Sequence, residues 1–138
     1  MEISTDLIIT KGNYNTDDVT SFNISNNTDL KSIVIGDECC GKVRVFELDG
    51  LGELETVVIG KRSITYVKDY EAIENSKRTD GTCRIMNCPK LKSIQIGDYS
   101  FADYHSFELN NLSSLQSIDI GERCFFYASS FSLAGLID

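Results

Sequence analysis

Leu30-Lys31-Ser32-Ile33-Val34-Ile35-Gly36 decides the fold, because it returns three more times along the chain. It recurs as Leu54-Glu55-Thr56-Val57-Val58-Ile59-Gly60, as Leu91-Lys92-Ser93-Ile94-Gln95-Ile96-Gly97 and as Leu115-Gln116-Ser117-Ile118-Asp119-Ile120-Gly121. The four glycines lie 24, 37 and 24 residues apart. A unit recurring at this period cannot bury its apolar face alone, and it does so by stacking on copies of itself.

Working outward, the columns Ile33/Val57/Ile94/Ile118 and Ile35/Ile59/Ile96/Ile120 are two residues apart and share one face of a short strand. β-branched side chains suit that inward position. Gly36, Gly60, Gly97 and Gly121 end the strand, at a corner with positive φ or where neighbouring turns approach closely. Cys39/Ser63/Ser100/Cys124 come next, then the inward column Cys40/Ile64/Phe101/Phe125. A second strand carries Phe22/Phe46/Phe107/Phe131 and Ile24/Leu48/Leu109/Leu133. Asn26/Gly50/Asn87/Asn111/Gly135 follow, residue types that tolerate the left-handed region and so mark the opposite corner. Helical spacing is not sustained anywhere, and a single helical turn at Gly36–Val43 is the most that fits. The pattern predicts a β-rich repeat solenoid, one domain over residues 1–138. It has about five 24-residue coils, two short parallel strands per coil and little helix. At the usual strand spacing the rod is about 24 Å long.

The 37-residue interval is 24 plus 13, so one coil carries an insertion, placed within about residues 70–83. Asp80-Gly81 is a tight-turn dipeptide, and the insertion is expected as a protruding hairpin or an irregular loop. Residues 1–18 keep the pattern in part: Ile9 fits the Ile33 column, and Lys11 stands where the second Ile belongs. They read as a degenerate N-terminal cap. The C-terminus ends mid-repeat on Phe131-Ser132-Leu133-Ala134-Gly135-Leu136-Ile137-Asp138, an apolar edge that suits a continuing chain or end-to-end self-association.

Composition narrows the function. A net charge of −8 disfavours nucleic acid, whose binders carry basic faces. No run approaches the ~18 apolar residues of a membrane span. The start Met1-Glu2-Ile3-Ser4-Thr5-Asp6 lacks a secretory signal, which reads as cytoplasmic, or as extracellular if the chain is a processed fragment. Three sequons, at Asn23, Asn26 and Asn111, favour secretion only in that second case. The five cysteines respect the ladder and suit small buried hydrophobes; their spacing fits no zinc site. His105 shares a polar column with Arg44, Lys68 and Ser129 and reads as a surface residue with no nucleophile or carboxylate spaced to make it a base. No glycine cluster forms a phosphate cradle. Neither an enzyme nor a cofactor is expected.

The Leu-x-Ser-Ile-x-Ile strand and the Gly-x-x-Cys/Ser-Phe step, as in Gly97-Asp98-Tyr99-Ser100-Phe101 and Gly121-Glu122-Arg123-Cys124-Phe125, resemble the leucine-rich repeat superfamily. Within it they look most like the BspA-like repeats of bacterial and protist surface proteins. The resemblance spans about residues 19–138 and implies a leucine-rich-repeat-type solenoid with a binding role. The chain departs from the common pattern where Glu38, Arg62, Tyr99 and Arg123 replace an asparagine ladder.

The outward columns are Lys31/Glu55/Lys92/Gln116, Ser32/Thr56/Ser93/Ser117 and Val34/Val58/Gln95/Asp119. Alternating charges, Lys31–Glu55–Lys92 and Asp37–Lys61–Asp98, are expected to pair laterally and fix register. The candidate partner-binding residues are Lys31, Val34, Glu55, Val58, Lys92, Gln95 and Asp119 on this strip. Arg62, Tyr99 and Arg123 at the corner add groups common at interface hot spots, and Lys77 and Arg78 add a basic patch on the insertion. The expected function is a non-catalytic protein–protein interaction module with a protein partner. The alternative is a structural spacer or adhesion segment of a larger surface protein.

Overall fold

The computed structural model describes residues 5–25, 29–65, 80–126, 128 and 130–136. Ten strands follow one another: β1 (Asp6–Ile9), β2 (Ser21–Ser25), β3 (Ser32–Ile35), β4 (Val45–Asp49), β5 (Thr56–Ile59), β6 (Gly81–Met86), β7 (Ser93–Ile96), β8 (Tyr104–Asn110), β9 (Ser117–Ile120) and β10 (Ser130–Ala134). Odd strands form one five-stranded sheet in the order β1-β3-β5-β7-β9, and even strands form a second in the order β2-β4-β6-β8-β10. Each coil gives one strand to each sheet, and all pairings are parallel. The chain is a parallel β-solenoid of five coils, with no helix among the described residues.

The isoleucine file forms as the repeat dictates: Ile33 pairs with Val57, Val57 with Ile94, and Ile94 with Ile118. The first three are no more than 1% exposed. On the opposite sheet Phe46, Cys83 and Phe107 stand in register, as do Leu48, Ile85 and Leu109. The two sheets face each other across one dry core, to which each buried Ile, Leu or Phe contributes roughly 1.5–3 kcal/mol.

Both corners depend on left-handed residues, though not always those the sequence suggests. Gly50, Asn87, Asn111 and Gly135 have positive φ, as their column predicts. Gly36, Gly60, Gly97 and Gly121 do not; the second explanation applies to them. A Cβ on Gly97 would lie 2.7 Å from the carbonyl carbon of Gly60, and one on Gly36 would lie 2.8 Å from the Lys11 nitrogen. Coil backbones meet there too closely for a side chain. The positive φ falls instead on Glu38, Arg62, Tyr99 and Arg123, and again on Cys40, Ile64, Phe101 and Phe125. The turn aims the amides of Glu38, Arg62 and Tyr99 at the next coil, where they donate to the carbonyls of Lys61, Asp98 and Glu122 at 2.8–2.9 Å.

Between those positions runs a buried ladder of small polar groups. The Ser63 hydroxyl donates to the Gly36 carbonyl (2.6 Å) and accepts from the Cys39 amide (3.2 Å). Ser100 repeats this against the Gly60 carbonyl (2.6 Å) and the Ser63 amide (3.1 Å). The Cys39 and Cys124 thiols donate to Thr10 and Gly97 carbonyls. Ser and Cys interchange in this column because either supplies a short side chain with one donor.

Two boundaries differ from the sequence reading. Strand β1 pairs Leu7 with Ile33 and Ile9 with Ile35, an offset of 26 residues. Ile9 therefore occupies the second isoleucine column, and Lys11 falls just beyond the corner. Gly81, Thr82 and Cys83 lie within β6, paired with β8, so the insertion ends before them and Asp80-Gly81 is not a hairpin tip. The register explains this: Val45 pairs with Thr82, 37 residues on, so the phase has already resumed. Gly81 is required there because a Cβ would lie 2.5 Å from the Tyr104 ring.

Candidate interaction surface

The outer face of the odd-strand sheet gathers most of the predicted residues. Val34 pairs with Val58, Val58 with Gln95, and Gln95 with Asp119. Ile8 heads the same column beside Val34 and is 63% exposed. The sequence reading missed Ile8 because it set β1 two residues out of phase; Asp6-Leu7-Ile8-Ile9 is a variant of Ser32-Ile33-Val34-Ile35. Lys31, Glu55 and Lys92 stack just ahead of these strands, the amides of Glu55 and Lys92 donating to the carbonyls of Lys31 and Glu55 at 2.8 Å. The Lys92 ammonium lies 4.0 Å from the Glu55 carboxylate, both about half exposed. A pair of that length and exposure contributes little to stability.

The adjoining corner holds Arg62, Tyr99 and Arg123. The Arg62 guanidinium sits over the Tyr99 ring at 5.5 Å, and Arg123 sits over Phe126 at 5.5 Å. The Asp37–Lys61–Asp98 column works differently from the alternating charges expected: the carboxylates of Asp37 and Asp98 accept the backbone amides of Lys61 (2.8 Å) and Glu122 (2.9 Å). These acids close the corner by capping the next coil's main chain. Lys77 and Arg78 lie outside the described residues.

The outer face of the even-strand sheet has another character. Its central column reads Asn23, Glu47, Arg84, Glu108 and Ser132. Arg84 pairs with Glu108 at 3.4 Å. At its corner the Asn111 amide donates to the Asn87 side chain, which donates to Asp49, both at 2.8 Å. This face pairs polar groups along its central column and corner, and Val45 beside them is 38% exposed.

A buried polar cluster escaped the sequence reading. Asp103 is fully buried, accepts from the Thr65 hydroxyl at 3.1 Å and pairs with Arg44 at 3.2 Å. Arg44 also pairs with Asp80 at 3.3 Å and lies 4.9 Å from the centre of the Tyr104 ring. Its side chain is only 12% exposed, so it is not the solvated column member that its neighbours Lys68 and His105 suggested. The Tyr104 hydroxyl donates to the Val43 carbonyl, and burial pushes its pKa well up. Thr65 and Asp80 are the described residues on either side of positions 66–79, so one guanidinium–carboxylate pair holds both feet of the inserted segment.

Cys39, Cys40, Cys83 and Cys88 are buried; burial pushes Cys83 and Cys88 up, and Cys124 up to about 11. His105 is exposed. The fold thus defines the class: a parallel β-solenoid repeat protein. No family model matches the chain, and no curated protein or solved structure matches it.

Proposed function

We propose that the chain is a non-catalytic protein–protein interaction module, of the BspA-like leucine-rich-repeat kind that its repeats resemble. The observation that carries this reading is the contrast between the two outer faces. On the odd-strand sheet the central column begins Ile8, Val34 and Val58, with Ile8 63% exposed and the two valines half-buried, flanked by Lys31 and the weakly paired Glu55 and Lys92. On the even-strand sheet the same central column is polar and includes the Arg84–Glu108 pair. Exposed apolar groups rimmed by charge mark a contact site. Rigid stacking holds these side chains in fixed columns, which lowers the ordering cost of binding. The insertion bearing Lys77 and Arg78 adds a second contact. The spacer reading draws on a different observation, the open coil faces at the two ends of the core.

The test is differential capture of protein partners by the immobilised chain. Ile8→Lys, Lys92→Glu and Gln95→Lys together are expected to abolish capture without lowering the melting temperature. Glu47→Lys with Arg84→Glu on the other face is expected to leave capture intact. Equal effects from both faces, or none from either, overturn the platform reading, and loss only on deleting a whole coil supports the spacer.

A further inference from the structure

We propose that the chain pairs with a second copy of itself through the outer face of the odd-strand sheet, the two rods lying side by side about a two-fold axis that runs along their length. This names the occupant of the contact face described above and rests on that reading.

The two rims of the face carry opposite charge patterns. Lys31, Glu55 and Lys92 stand one residue ahead of β3, β5 and β7, and Asp37, Lys61 and Asp98 stand two residues past them. Down the three inner coils one rim reads plus, minus, plus and the other minus, plus, minus. An axis along the rod, through the central column, keeps each coil opposite its own copy and reverses the strand direction. It sets Lys31 against Asp37 of the second copy, Glu55 against Lys61 and Lys92 against Asp98, each pair made twice by symmetry. No ion pair among the described residues takes Lys31 or Lys61 within the chain. Asp37 and Asp98 cap the next coil through Oδ1, and a carboxylate has a second oxygen with which to accept an ammonium.

The same charges disfavour the other full overlap of the two faces. An axis along the strands, through the middle coil, would set Lys31 on Lys92, Asp37 on Asp98, and Glu55 and Lys61 each on its own copy. Like charges would meet in every pair, and such juxtaposition suppresses an arrangement.

The column between the rims is self-complementary. Position 34 lies midway between 31 and 37, so Ile8, Val34 and Val58 each meet their own copies on the axis. Ile8 is 63% exposed, and a second copy removes it from water. Facing sheets pack about 10 Å apart, a gap that aliphatic side chains fill from both sides and that rim lysines cross. Ser32, Thr56 and Ser93 come opposite Gly36, Gly60 and Gly97, where no side chain stands in their way. Gln95 both donates to and accepts from its own copy. Asp119 is the misfit: exposed on β9, it meets a like charge.

The face spans five strands from rim to rim, roughly 24 Å by 20 Å. Two such faces bury on the order of 1,000 Å², the lower limit for a specific complex, so the dimer is reversible.

Sedimentation equilibrium of the 138-residue chain over a concentration series tests this. A monomer–dimer equilibrium that shifts toward monomer as salt rises is expected. Glu55→Lys and Lys61→Glu are each expected to weaken dimerisation by about tenfold or more, since like charges then meet across the axis. Both changes in one chain are expected to restore it, because the exchanged charges again meet their opposites. Asp119→Asn is expected to tighten it. Circular dichroism of each variant checks that it is folded. Val34→Cys treated with a short bis-maleimide is expected to give a covalent dimer that the wild-type chain, its thiols buried or half-buried, does not give. A wild-type chain that stays monomeric at every concentration overturns the pairing alone, and loss of capture in the Ile8, Lys92 and Gln95 variant still upholds the contact face. A dimer that Glu47→Lys with Arg84→Glu dissociates, and that the Glu55 and Lys61 changes do not touch, overturns both.

Discussion

A single methyl group separates two kinds of glycine in this chain. At Gly97 an added Cβ meets three backbone atoms of Gly60 and Lys61 within 2.8 Å, so no side-chain rotation relieves it. At Gly52 it meets nothing within 4 Å. Gly97→Ala is expected to lower unfolding free energy by about 1–3 kcal/mol, as overpacking does, and Gly52→Ala to leave it unchanged or raise it by about 0.4–1 kcal/mol. Denaturant titration of the two variants checks this. The thiols make a pH statement of the same scale. Burial pushes Cys124 up from 9.0 to about 11, so the folded state keeps a proton that the unfolded chain loses first. The unfolded state binds fewer protons above pH 9, so stability is fully present below that point and falls as pH rises toward 11. Cys124→Ser is expected to flatten that alkaline fall, read as melting temperature against pH. Residue identity made some of this legible and some not. Asn87, Asn111, Gly50 and Gly135 announce a left-handed corner because those types tolerate it. Glu38, Arg62, Tyr99 and Ile64 carry no such signal; their positive φ is held by hydrogen bonds to neighbouring coils, which exist only once coils stack.

Strands were readable where the repeat is regular. Ile33, Val57, Ile94 and Ile118 recur at the same place in each repeat, and the structure puts them in one file. Strand β1 was misplaced by two residues because the first interval is longer and a fixed period cannot sense it. The Arg44–Asp103 cluster was unreadable for another reason: its members come from three different coils, and only the fold brings Arg44, Thr65, Asp80 and Asp103 together. The strongest local prediction concerns that pair. Arg44→Ala strands a fully buried carboxylate and is expected to cost about 3–5 kcal/mol. Asp103→Asn keeps an acceptor for Thr65 and is expected to cost less. Thermal melts of both, set against Arg84→Ala on the exposed outer face, separate burial from mere charge. The outer columns carry no sequence signal of which face is self-paired, because Glu47 and Arg84 lie 37 residues apart and Arg84 and Glu108 lie 24 apart, as do the stacked pairs of the other face from β3 onward.

For the whole molecule, position along the stack matters as much as position within a coil. Each coil touches only its neighbours, so stability is a sum of coil terms and interface terms. Ile94 and Ile118 hold the same column, yet one is sealed and the other is 37% exposed. Ile94→Asp is expected to abolish cooperative unfolding, since it buries an unpaired charge and forfeits roughly 1.5–3 kcal/mol of apolar burial. Ile118→Asp is expected to leave a folded chain with a modestly lower melting temperature. Parallel melts and circular dichroism spectra decide it; a well-folded Ile94→Asp variant would contradict the stacked core.

The strands lie crosswise to the rod, so their ladder hydrogen bonds point along its length. Tension applied from end to end loads those bonds one row at a time, as a zipper is opened, and never shears a whole sheet at once. Under such a pull the molecule should yield gently and lengthen in steps of single coils, the terminal ones releasing first, giving an elastic tether in place of a brittle one.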